Sequence, residues 1–152
     1  MSAARSARNL PRAQRAMALV FVGTVLPWMI SPPVEAERRD RKPPAFAGLE
    51  SATTCIPGPI GPGTSASYHL TWEPATDKVS PSSAIVYEIY QADKSGGEDF
   101  STPTYTTPPG ATSFDTPPLP ADQTFYFIVR ATDEAGNTDS NTVEREGVNL
   151  CV

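Results

Sequence analysis

The chain has 152 residues, a formal net charge of -5 and 39% hydrophobic residues, with 17 Pro, 10 Gly and 2 Cys, which suits one modest domain. A single histidine, His69, leaves almost nothing from which to build a histidine metal site or a nucleophile with a histidine base. The acids fall mostly in turns and a domain this small has little room for a cleft, so no catalytic residues, no cofactor and no enzyme activity are expected.

The first 36 residues divide into three zones. Arg5, Arg8, Arg12 and Arg15 come without an acid, Ala16 to Ile30 carries no charge, and Ser31-Pro-Pro-Val-Glu-Ala36 follows with small residues at Val34 and Ala36. That is the layout of a secretory signal peptide cleaved after Ala36. The apolar run is shorter than the ~20 residues a membrane helix needs and is interrupted by Pro27, so no membrane span is expected after cleavage. Neither cysteine follows the run closely, which argues against a lipoprotein anchor. The mature protein is expected to be secreted and extracellular.

Cleavage removes four of the twelve basic residues but only Glu35 of the seventeen acids, leaving about -8. Residues 37–44 hold Arg38, Arg39, Arg41 and Lys42 before Pro43-Pro44 and read as a solvated basic linker. Residues 45–152 then carry only Lys78, Lys94, Arg130 and Arg145 as bases, a balance that repels phosphate backbones, so nucleic acid is not an expected partner.

From Phe46 onward apolar and polar residues alternate over short stretches separated by turn formers, as in antiparallel strands. Phe46 to Thr53 is the first candidate. Tyr68-His-Leu-Thr-Trp72 places Tyr68, Leu70 and Trp72 on one face and His69 and Thr71 on the other, with His69 at the surface. Ala84 to Gln91 gives Ile85, Tyr87 and Ile89 one face and Val86, Glu88 and Tyr90 the opposite one. Shorter strands are expected at Thr104 to Thr107 and Thr112 to Thr116. Pro117-Pro118-Leu119-Pro120 lacks the donors of a central ladder and reads as a stiff crossing between sheets. Thr124 to Ala131 sets Phe125, Phe127, Val129 and Ala131 inward with Tyr126, Ile128 and Arg130 outward, and Asn141 to Val148 closes the series. The expected fold is all-β, a seven-stranded antiparallel β-sandwich.

Leu70-Thr-Trp72 before Pro74-Ala-Thr-Asp77, then Tyr87-Glu-Ile-Tyr90, Leu119 leading into Phe125-Tyr-Phe-Ile-Val-Arg-Ala131, and Asp133-Glu-Ala-Gly-Asn137 together resemble a fibronectin type III domain over residues 44–148. The resemblance implies an immunoglobulin-like two-sheet sandwich with Trp72, Tyr87 and Leu119 in the core. One position departs from the pattern: where that family usually has its corner tyrosine, this chain has Phe125. No Arg-Gly-Asp tripeptide occurs, so the integrin binding of animal relatives does not carry over.

Cys55 follows the first strand and Cys151 the last, in a chain with an export signal, and the two are expected to form a disulfide. The outward face of the central strands offers Tyr90, Tyr126 and Arg130, with Ile128 and Glu88 nearby, as a candidate ligand-binding face. The loops carrying Asp77 and Asp133, Glu134, Asn137 and Asp139 should meet at one end of the sandwich; they read as solvated acidic turns, and no metal is assigned. The functional expectation is a non-catalytic module that contacts a protein or cell-envelope component. The alternative is a carbohydrate-binding module, which requires an exposed Tyr90/Tyr126 face to stack on polysaccharide.

Overall fold

A computed structural model describes residues 40–151 of the chain. The expected signal peptide, residues 1–36, and the start of the expected linker lie outside the described residues. The strands run β1 (Ser51–Thr54), β2 (Ser65–Ala66), β3 (His69–Thr71), β4 (Val86–Ala92), β5 (Tyr105–Thr106), β6 (Ser113–Asp115), β7 (Leu119–Pro120), β8 (Tyr126–Thr132), β9 (Glu144–Glu146) and β10 (Val148–Asn149). One sheet has the order β10-β1-β3-β6 and the other β5-β4-β8-β9, while β2 and β7 form a separate two-stranded ribbon. Every pairing among these is antiparallel except that of β10 beside β1.

The alternation in the sequence explains how the sheets face each other. Leu70 from β3, Tyr87 and Ile89 from β4, and Phe127, Val129 and Ala131 from β8 are fully buried, with Tyr68, Trp72, Leu49 and Ala52 in the same core. Rings join the layers: Trp72 lies 5.2 Å from Tyr87 and Tyr68 lies 5.6 Å from Phe127, centroid to centroid. Their polar tips are satisfied, since Trp72 Nε1 donates to Ala111 O at 3.0 Å and the Tyr87 hydroxyl accepts from Ala75 N at 2.8 Å. Leu119 packs against this core from a partly buried position. Phe125, lacking a hydroxyl, is buried edge-on to Tyr68, and its carbonyl accepts from Gly147 N at 2.8 Å.

Several boundaries differ from the sequence expectation. The first strand starts at Ser51 rather than Phe46, because Gly48 adopts φ +92° where a Cβ would sit 2.6 Å from Val143 Cβ. Before it, Ala45 exchanges backbone hydrogen bonds with Thr76 and Phe46 packs on Tyr87. The closing strand is two: β9 continues β8's sheet, and β10 joins β1 across the sandwich. Gly147 lies at the switch, where an added Cβ would run into the Tyr68 ring. The proline crossing also pairs, Leu119 with Ala66 and Pro120 with Ser65, forming a ribbon that needs no donor from proline. Finally, the expected solvated linker is packed at its end, with Pro44 buried and Asp40 half-buried.

Candidate binding face and acidic end

β4 and β8 pair Glu88 with Arg130, Tyr90 with Ile128 and Ala92 with Tyr126, so the outward residues do share one sheet face. The face is not open. The loop between β4 and β5 folds back over it and sets the Phe100 ring 5.1 Å from Tyr90. Tyr90 and Ile128 are each only 4% exposed. The expectation of an exposed tyrosine platform is thereby corrected: strand alternation puts Tyr90 outside the sandwich core, and the loop then buries it a second time. Tyr126 is half-buried, as is Arg130.

Arg130 organises the cover. Its guanidinium lies 3.6 Å from the Phe100 centroid and 5.8 Å from that of Tyr90, and its Nε donates to Asn141 O at 3.1 Å. Glu144 on β9 fastens the loop, accepting from Ser95 Oγ and from Gly96 N, both at 2.7 Å. Burial, then the Glu88 carboxylate that accepts from the Tyr90 hydroxyl at 2.8 Å, pushes the Tyr90 phenol up to about 12. Burial likewise raises Glu98, with the nearby Glu144 charge adding to it. Phe100 keeps 37% of its surface in solvent. Sequence reasoning missed it; the available signal was a lone aromatic in an otherwise Gly- and acid-rich loop.

Cys55 and Cys151 are bonded, Sγ to Sγ 1.96 Å, closing a separation of 96 residues. Asn149 supports the bridge: its Oδ1 accepts from Ile56 N at 2.9 Å and Cys151 N at 3.2 Å. At the opposite sheet's surface His69 Nδ1 and Asp115 Oδ1 are 2.7 Å apart on exposed side chains.

The acidic loops meet, though not with the expected membership. Asp77 and Asp133 converge with Asp40, one carboxylate oxygen from each lying within 4.8 Å of the others. Asp139 instead turns inward to accept from Ala131 N and Asn141 N. Asn137 donates through its backbone and side-chain amides to Asp133 at 2.8 Å. Asp40 escaped the sequence reading because it sits in a stretch whose composition reads as solvated. Beside the cluster, Lys42, Pro43, Ala45, Thr76, Asp77 and Lys78 line a groove of about 290 Å³.

The class these observations define is a disulfide-closed, all-β sandwich with a loop-covered sheet face. No family model and no curated protein matches the chain. Among the described residues, no helix is long and apolar enough to cross a membrane.

Proposed function

We propose that this is an exported, non-catalytic module of the fibronectin type III, immunoglobulin-like kind that acts by binding a protein or cell-envelope component. Two four-stranded sheets with β4 and β8 central in one of them support that kind of sandwich. The Cys55–Cys151 bond supports an oxidising compartment, in keeping with export and cleavage after Ala36.

The observation that carries the binding reading is Phe100. It is a large ring, 37% exposed, held on a loop tied down by Glu144 and backed by Arg130 and Tyr90. A pre-positioned aromatic with an arginine beneath it loses little entropy when a partner closes over it, which is the character of an interface anchor. The buried Tyr90 leaves the carbohydrate-stacking alternative without its platform unless the loop lifts.

The test is cosedimentation of the oxidised protein with the producer's envelope fraction and, separately, with purified insoluble polysaccharides. Retention by protein-bearing envelope that falls at least tenfold in Phe100→Ala, with no retention by polysaccharide, is expected. Retention by purified polysaccharide alone would replace this reading with the carbohydrate one.

A further inference from the structure

The loop that hides the β4–β8 face is fastened by a pair of acids. Residues 93–104 turn back at Lys94, whose carbonyl accepts from Gly97 N at 3.1 Å, and lay Phe100 against Tyr90. Tyr90 and Ile128 are each 4% exposed yet lie outside the core cluster between the sheets, so their burial depends on this loop. Glu144 on β9 accepts from Ser95 Oγ and Gly96 N, both at 2.7 Å, and the Glu98 carboxyl lies against it, close enough to share a proton. Glu98 Oε1 is closed off from solvent and finds no donor among the described residues, so a proton of its own is what completes the contact.

Among the described residues no cation pairs with either carboxyl. On β8, Arg130 is spent on the Phe100 ring and on Asn141 O, and Tyr126 brings only a phenol. On β9, the Arg145 guanidinium donates to the Glu50 and Glu144 carbonyls, and Glu146 adds negative charge. On β4, Glu88 is taken by the Tyr90 hydroxyl. Within the loop, the Lys94 side chain lies beside Gly97, Asp93 is exposed, and Asp99 accepts from Ser101 N at 2.9 Å.

We propose that the β4–β5 loop is an acid-closed strap: one proton held between Glu98 and Glu144 keeps it shut over Tyr90 and Ile128 in mild acid, and loss of that proton at neutral pH loosens it together with the Phe100 anchor. Burial, and then the Glu144 charge, raise Glu98, so its contribution to closure is complete below about 4.5 and is lost as pH rises through the raised value. Glu144 runs the other way, since Gly96 N and Ser95 Oγ hold it below its ordinary range; it keeps its charge and its grip while Glu98 takes up the proton. Closure is therefore tightest with one proton on the pair, and at neutral pH two charged carboxylates repel across the contact. The strap regulates partner binding only if Phe100 is the anchor proposed above; the latch itself stands on Glu98 and Glu144.

The test is amide hydrogen exchange of the full, oxidised protein at pH 4.5 and at neutral pH, read by mass spectrometry and corrected for the intrinsic pH dependence of exchange. Protection of residues 93–104 is expected to fall roughly threefold or more at neutral pH, while that of β3 stays unchanged. Glu98→Gln keeps a hydrogen-bond donor towards Glu144 at every pH, so its loop should hold at neutral pH the protection that the wild type shows in acid. Equal loop protection of the wild type at both pH values, or an equal fall in Glu98→Gln, would overturn the strap. Retention by the envelope fraction at the same two pH values separates the strap from the partner reading. Phe100-dependent retention that weakens at neutral pH in the wild type, and not in Glu98→Gln, is expected. Retention indifferent to pH would overturn the regulation, whereas no retention at either pH would overturn the partner reading and leave the exchange result to decide the strap.

Discussion

Reducing the Cys55–Cys151 bond is the sharpest perturbation available, because it removes a single restraint from the chain ends without touching the core. The bridge closes a separation of 96 residues, for which the chain-entropy relation gives about 4 to 5 kcal/mol. The local hydrogen bonds do not involve the sulfur atoms and are expected to persist on reduction: Asn149 Oδ1 accepts from Ile56 N, and Leu150 N donates to Thr54 O at 2.9 Å. For a domain of this size the loss corresponds to a fall of roughly 15 to 25 °C in melting temperature. Calorimetry of oxidised and reduced protein in the same buffer, with the Cys55→Ser/Cys151→Ser double variant as a control for the reductant, measures it. A difference under about 3 °C would refute the argument that closure of the first and last strands supplies a large share of the stability.

Two further predictions concern the sheet switch and the loop. Gly147→Ala forces a Cβ into the Tyr68 ring, so it should destabilise by about 1 to 3 kcal/mol in denaturant titration; a neutral result would mean that the β9–β10 corner yields freely. Glu98 has a folded pKa raised above its ordinary value by burial and by Glu144, so the closed loop is most favoured at low pH and loses that contribution as pH rises from about 4.5 through the raised value. Glu98→Gln removes this titration. The melting temperature of the variant minus that of the wild type should therefore grow between acidic and neutral pH, and a constant difference would refute the assignment.

Much of the sandwich was legible in the sequence because one face of each central strand is buried. Tyr68, Leu70 and Trp72, and likewise Phe125, Phe127, Val129 and Ala131, alternate with polar or larger neighbours, and a one-residue slip would turn the whole set away from the core between the sheets. The disulfide followed from two cysteines in a chain whose first 36 residues read as an export signal. The candidate face was legible only by half. Periodicity says that Tyr90, Ile128 and Arg130 share a side; it says nothing of a loop folding back, which depends on Phe100 finding Arg130 and on Glu144 capturing Ser95 and Gly96. The acidic end failed similarly, since the segment that carries Asp40 is brought towards Asp77 by the backbone pair between Ala45 and Thr76, a long-range contact that composition does not announce. The split at Gly147 reflects a contact with Tyr68 that no local pattern announces.

Whether the Phe100 side of the molecule meets a partner outside the cytoplasm is decided by photo-crosslinking in living producer cells. A photoreactive phenylalanine analogue is placed at position 100 and, separately, at His69 on the exposed surface of the other sheet. A discrete adduct is expected from position 100, on the extracytoplasmic side, and none from position 69. Adducts of equal yield from both positions, or from neither, would contradict it.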